Sequence, residues 1–438
     1  MLSSEIRQNL SRARVLLVAY ACSPYKGSES IVGWGRALET ARYCETWLLT
    51  GPESEPDIKN YLCENGEIPN LHFCFLAADK TEKLLQKLPT LYAHNYLAIR
   101  HWQRRAKDFV AQLHARINFD LFHHVNITGY REPGCLWELD VPFVWGPLSG
   151  TQNLPWKFLP SLGLVQGGKE FVRNCLNIYQ LNTSRRVKKA AQKSLAIVAA
   201  NSTIQKDFAR LTRKEPTLLL ETGLSSVADK LPVKNQSHET LRILWSGEHK
   251  GFKALPLLLE ALAGLPDKVK YELKILGRGP LREKWEQLAQ AKNVNAEWLG
   301  FVPYTEIMQQ YDWADVFVFT SLRDTSGNVM LEALSCGVPV VCLDHQGAAD
   351  IVTKKSGLKI RVTNPEQVVK DLRDAIATLA LNRNKLLKLS QGALARARFF
   401  LWSNNGERMA EIYGQALIAA NQTATKSAQV VRDIVHAQ

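Results

Sequence analysis

The chain has 438 residues, 46% of them hydrophobic and 22% charged, with a formal net charge of +13. That length exceeds one ordinary core, so two domains with a crevice between them are expected, and the composition is that of a soluble globular protein. No run of about 18 uncharged apolar residues occurs, which excludes a spanning helix. The eight cysteines are scattered without CxxC or zinc-ligand spacing, which argues for buried thiols rather than a disulfide framework.

Taken in chain order, residues 1–14 read as a lead-in to the first strand, Val15 to Ala19, whose unbroken apolar run suits the centre of a parallel sheet. Following Arg12 and Arg14, this run reads as a strand rather than a signal peptide. The loop Tyr20 to Ile31 carries Gly27, Ser28 and Glu29, and a helix from Gly33 to Tyr43 follows. Gly27 to Gly35 does not spell GxGxxG, so no dinucleotide cofactor is inferred. Trp47 to Thr50 and His72 to Leu76 are further strands, and Leu84 to Ile117 is mainly helical, basic on one side and aromatic on the other. DLFHHV, Asp120 to Val125, reads as a short strand ending in His123 and His124. Adjacent strand residues face opposite sides, so only one imidazole can reach a given ligand. Phe143 to Gly150, Leu195 to Ala199, the helix Thr203 to Leu211 and Leu218 to Gly223 complete this half. The polar, aperiodic stretch 224–240 reads as a linker.

Most of the excess positive charge lies before about residue 235, in clusters that include Arg100, Arg105 and Lys107, and Arg185, Arg186, Lys188, Lys189 and Lys193. An anionic membrane surface, an anionic acceptor and a plain solvated face all remain open. Without any nucleic-acid module or interleaved aromatics, no nucleic acid is expected.

The second half, 241–402, alternates strands with helices, the pattern of a doubly wound parallel sheet. Its strands are Leu241 to Trp245, Tyr271 to Leu276, Trp298 to Pro303, Val316 to Phe319, Val338 to Leu343 and Gly357 to Val362. In the stretch from Asp315 to Val341, a strand is followed by the polar loop Thr320 to Gly327, a short helix from Asn328 and a closing Gly337. Ligands of such units bind beyond the carboxyl ends of the strands. Ser326, Gly327, Asn328 and Val329 would present free amides at a helix N-terminus, where an anion is favoured. Asp324 and Glu332 flank that helix start, the latter leaning back toward it. Amides for phosphates beside carboxylates for hydroxyls suit a sugar nucleotide.

The spacing from Asp324 to Glu332, followed by LEALSCGVPVV, resembles the E-x7-E signature of family 4 retaining glycosyltransferases (glycosyl transferases group 1), with Asp in place of the first Glu. The resemblance implies the GT-B fold, an α/β architecture of two Rossmann-like domains facing across a cleft. It implies that Asp324 contacts the donor sugar and acts in catalysis, and that Glu332 holds the nucleotide ribose. SGEHKGFKA resembles the family's G-R-x4-K-G element, so Gly247 and the phosphate ligand Lys253 are carried over. Glu248 falls where the family has Arg, and Lys250 or Arg278 would then supply the missing cation. His124 resembles the catalytic histidine at a strand end near the reacting sugar, with Gly27, Glu29 and His123 on the acceptor side.

The reading implies an N-terminal acceptor-side domain, 15–223, and a C-terminal donor domain, 241–402. A helix at 403–420 would pack back on the first domain, and 421–438 would form a flexible tail. The expected activity is transfer of a sugar from a nucleotide-sugar donor to a glycan, lipid-linked or small-molecule acceptor, without metal or other cofactor. The expected setting is cytoplasmic, at the inner face of an anionic membrane if the basic face meets lipid. A sugar-nucleotide epimerase and a non-catalytic sugar-nucleotide or polyanion binder stay open as alternatives.

Overall fold

The computed structural model describes residues 2–88, 95–231 and 240–436. The chain folds as two compact units. The first comprises residues 1–151, 179–222 and 402–438, and the second 152–178 and 223–401.

In the first unit, seven strands form one parallel sheet: β1 (Arg14–Ala19), β2 (Glu45–Thr50), β3 (Leu71–Phe75), β4 (Leu121–Asn126), β5 (Phe143–Leu148), β6 (Ala196–Ala199) and β7 (Thr217–Leu218). Their order is β3-β2-β1-β4-β5-β6-β7. The chain winds outward from β1 in one direction and resumes at β4 in the other, so the order reverses between β1 and β4. Apolar layers cover both faces. Leu17, Val32, Leu48 and Met409 lie in one cluster, and Leu16, Trp102, Trp145 and Phe208 lie in the other. β1 therefore has no exposed face, which is why its sequence does not alternate.

In the second unit, six strands form the other parallel sheet: β8 (Leu241–Ser246), β9 (Tyr271–Leu276), β10 (Glu297–Gly300), β11 (Val316–Phe319), β12 (Val340–Leu343) and β13 (Gly357–Ile360). The order β10-β9-β8-β11-β12-β13 reverses between β8 and β11. All four side chains of β11 are buried. Each contributes about 1.5–3 kcal/mol, against a backbone ordering cost of about 1–2 kcal/mol per residue, so this short strand is held by its burial.

Several sequence expectations change. Residues 152–178, expected in the N-terminal domain, group with the second unit, where Leu154 and Phe158 enter the core beside Leu241 and Trp285. The helix Leu164–Thr183 was not foreseen, because its large apolar residues, Leu164 and Phe171 among them, face outward while Asn174 and Asn177 face inward. The expected tail at 421–438 instead continues the helix Trp402–His436, and most of the linker, 232–239, lies outside the described residues. So do residues 89–94 of the expected helix from Leu84. Among the described residues, no helix is long and apolar enough to cross a membrane.

Candidate active site

The carboxyl ends of β8 and β11 lie side by side where the second sheet reverses, and the loops after them carry most of the expected donor-binding residues. Lys253 follows β8 and Asp324 follows β11. Their side chains meet, with Lys253 Nζ 2.5 Å from Asp324 Oδ2, and remain 18% and 22% exposed. The ammonium lies over the rings of Phe252 and Phe319, 5.6 and 5.5 Å from their centroids, which limits where it can swing. The two loops are stitched together below it. Thr320 Oγ1 donates to the carbonyl of Lys253 at 2.7 Å and accepts from Trp245 Nε1 at 3.0 Å, while the Leu322 amide donates to Phe252 O at 2.7 Å.

Gly327 adopts φ 71° and opens the helix Asn328–Ser335, and no side chain caps that helix start. A Cβ at Gly327 would come within 3.0 Å of the Phe319 ring, so the left-handed turn and the close packing both require glycine. The first-turn amides of Gly327, Asn328 and Val329 thus begin an uncapped helix, with Ser326 Oγ donating to Asn328 Oδ1 at 3.4 Å beside them. Glu332, just over one turn in, accepts from the Tyr311 hydroxyl at 2.9 Å. Burial raises its pKa above the ordinary carboxylate range, partly opposed by that hydrogen bond.

Sequence reasoning missed the third loop at this edge, the one after β12. The side chain of Gln346 accepts from the Asp324 amide at 2.9 Å and donates to Asn153 O at 2.9 Å. His345 Nε2 lies 3.1 Å from Ser321 O, and burial lowers its pKa, so the neutral ring donates there. A Cβ on Gly347 would fall 1.8 Å from Thr325 O, so the Asp324 loop rests directly on this glycine. Asp344 to Gly347 directly follows an apolar strand, and that position was the available signal.

The expected cationic substitutes for the family arginine separate. Lys250 pairs with Glu248 at 2.9 Å. Arg278 is exposed and lies over the Phe301 ring, 4.9 Å from its centroid. Gly247 supports the turn, since a Cβ on Gly277 would fall 1.9 Å from Gly247 O.

In the first unit the histidine expectation needs correction. β4 runs past both histidines to Asn126, and His123 and His124 are 0% and 2% exposed. They point to opposite faces, as strand pleating requires. The Tyr413 hydroxyl lies 2.6 Å from His123 Nδ1, and Gly146 O lies 2.5 Å from Nε2. A neutral ring satisfies both, accepting from the phenol and donating to the carbonyl, and burial lowers its pKa to about 3. His124 packs beside Gly134 and Gln103, with its pKa lowered to about 4 by burial and the Arg186 charge. Both rings are interior groups of the sheet rather than groups at its rim.

The residues at the carboxyl end of β4 are Asn126 and Thr128. Asn126 Nδ2 donates to Ala21 O and Glu29 O, both at 2.8 Å, and its Oδ1 accepts from the Ala21 amide at 3.1 Å. Glu29 accepts from Thr128 Oγ1 at 2.7 Å and from the Thr128 amide at 3.2 Å. Burial raises the Glu29 pKa against those bonds. Gly27 stands clear of the loop's packing, with no atom within 4 Å of a Cβ placed there.

Two parallel sheets with flanking helices, each with its order reversing once, define the two-domain α/β fold of the GT-B glycosyltransferases. Among solved structures, sucrose-phosphate synthase from Thermosynechococcus elongatus aligns with TM-score 0.64 at 16% identity, covering 93% of this chain and 100% of the other. Anabaena HepE in complex with UDP aligns with TM-score 0.59 at 15% identity, covering 92% and 99%. Residues 228–396 match the family described as glycosyl transferases group 1. A D-inositol 3-phosphate glycosyltransferase of Saccharomonospora viridis is 29% identical over 200 residues, 42% of this chain and 45% of the relative. O-antigen chain mannosyltransferase B of Escherichia coli is 32% identical over 149 residues, 34% of each chain. The chain thus spans less than half the length of these curated relatives.

Proposed function

We propose that the chain is a retaining glycosyltransferase that moves a sugar from a nucleotide-sugar donor to a hydroxyl of a glycan, lipid-linked or small-molecule acceptor. The observation that carries this reading is the Lys253–Asp324 pair beside the uncapped helix start, where the second sheet reverses. The group 1 match over the same residues supports it. In the reaction, the bond from the anomeric carbon to the diphosphate oxygen breaks and its electron pair goes to the phosphate. Negative charge grows there, and Lys253 with the amides of Gly327 to Val329 receives it. One preorganised donor of this kind is worth about 2.7–4 kcal/mol.

A diphosphate would draw Lys253 away from Asp324 and free that carboxylate for the hydroxyls of the donor sugar. Glu332, presented by Tyr311, is assigned to the ribose hydroxyls. The acceptor oxygen then bonds to the anomeric carbon and its proton passes to the leaving phosphate, which balances the reaction. Lysine and the helix amides supply the positive field, so the scheme invokes no metal. With relatives named for inositol phosphate and O-antigen substrates, cell-surface polysaccharide or glycoconjugate synthesis at the inner face of the membrane is the proposed setting.

The test begins with a thermal-shift screen of UDP-, GDP- and ADP-sugars, since a ligand at about 100 times its Kd stabilises by about 2.7 kcal/mol. Hydrolysis of the stabilising donor is then followed in wild type and Glu332→Ala, with and without EDTA. Turnover in the wild type, near loss in the variant and indifference to EDTA are expected. Equal rates in both proteins, or none in either, would sink the enzyme reading. Release of an epimerised sugar nucleotide without acceptor would replace transfer by epimerisation.

A further inference from the structure

The two basic clusters of the first half, far apart in sequence, converge in the first unit on one cavity of about 550 Å³. That volume lies in the range of small-ligand sites. Arg104 and Lys107 enter it from the helix Tyr96–Ile117, and Arg185, Arg186 and Lys189 from the helix Arg185–Lys193. Two carboxylates line the cavity with these five cations, Asp108 and Glu138, of which Glu138 is taken by Lys107 at 2.8 Å, and a third, Glu132, pairs with Arg186. Among the described residues, no carboxylate is ion-paired with Arg104, Arg185 or Lys189.

The cavity is built rather than merely decorated with charge. At its inner wall Arg186 is fixed by Glu132, whose side chain is fully buried, at 2.7 Å, and it donates to Gly134 O at 2.5 Å. The other oxygen of Glu132 holds Arg100 at 2.9 Å. Arg186 Nε is buried without a hydrogen-bond partner. Trp137, donating to Gly134 O at 3.0 Å, forms a rigid flat wall. Three unpaired cations in one concavity repel one another, and a multiply charged anion relieves that repulsion while matching the planar arginine forks.

We infer that this cavity is an anion site for a phosphate-bearing ligand, gripped by Arg104, Arg185, Arg186 and Lys189 and separate from the donor site of the second unit. The phosphate can come from a lipid headgroup or from a soluble phosphorylated compound, and the test distinguishes them. The full chain at low salt is titrated calorimetrically with inorganic pyrophosphate and glycerol 1-phosphate. It is also sedimented with vesicles of phosphatidylcholine, with and without phosphatidylglycerol.

The test variant is Arg185→Gln/Lys189→Gln, and the control is Lys188→Gln/Lys193→Gln, which removes the same charge from the same helix outside the cavity. Wild type and control are expected to bind, and the test variant to lose at least about tenfold in affinity. Binding of the soluble phosphates assigns a soluble ligand, whereas binding only to phosphatidylglycerol vesicles assigns a headgroup. Equal binding by wild type and test variant, an equal loss in the control, or no binding of either probe would overturn the inference. The donor-induced thermal shift is read on the same samples, so failure at one site is not mistaken for failure at the other.

Discussion

The carboxyl edges of the two sheets are built alike and finished differently. Each has a reversal of strand order flanked by loops, and each places an acidic residue there. In the first unit Glu29 is spent on Thr128, and Asn126 ties the loop down through three further hydrogen bonds. In the second unit Asp324 is matched by one partly exposed lysine on a neighbouring loop, an ion pair that a stronger anion can exchange. Topology decides where a ligand edge lies. What the edge can bind depends on which polar groups the fold has left exchangeable.

The sharpest way to break this comparison is to remove one group from each edge. Lys253→Ala should cost about 10²–10³ in donor turnover, the loss of one charged stabiliser of the leaving group. Glu29→Gln keeps an acceptor for Thr128 and should cost less than about tenfold, measured in the same assay. Equal losses would mean that both edges share the chemistry.

A second prediction leaves every charge in place. In Gly347→Ala the new methyl would fall 1.8 Å from Thr325 O, forcing the Asp324 loop to shift. A misplacement of about 1 Å can cost about 100-fold, so turnover should fall by a factor of this order. Single-turnover kinetics alongside thermal melts would separate loop displacement from unfolding.

The third concerns pH. His123 and His124 have pKa values lowered to about 3 and about 4 in the folded state. Below the unfolded value of about 6.5, the unfolded chain takes up protons that the native rings refuse, so stability falls as pH drops. The first unit should therefore lose stability steadily as pH falls from about 6.5 toward about 4, followed by hydrogen exchange resolved by segment. His124→Asn should flatten the slope in the first unit, and an unchanged slope would contradict the assignment.

The smallest effect expected is at Glu248. Its pair with Lys250 is exposed, so Glu248→Gln should change stability by less than about 0.5 kcal/mol. Freed from that partner and from the carboxylate's repulsion, Lys250 should tighten donor binding about two- to fivefold at low salt, an effect that fades as salt rises. Calorimetric titration in two salt concentrations would show it.

Much of the second unit was legible because its signals are local. β11, the loop to Gly327 and the helix from Asn328 follow from a run of apolar β-formers, a glycine and a spacing, and the structure shows them as read. The sequence expectation failed where a residue's role depends on partners far along the chain. His123 and His124 looked like a strand end because nothing nearby shows that β4 continues to Asn126, or that Tyr413 closes over His123. The outward-facing apolar residues of the helix Leu164–Thr183 likewise defeat any rule that assigns large apolar side chains to the core.

The linear order of residues by itself determined where most strands lie, the parallel character of the second sheet and the loop that lies at its ligand edge, because burial and backbone propensity act over a few neighbours. Only the tertiary structure decided that Asp324 meets Lys253 and Gln346, that the histidine pair is interior, and that two separated basic clusters line one cavity. Charge, hydrogen bonding and burial depend on distances through space, and the folded chain sets those distances.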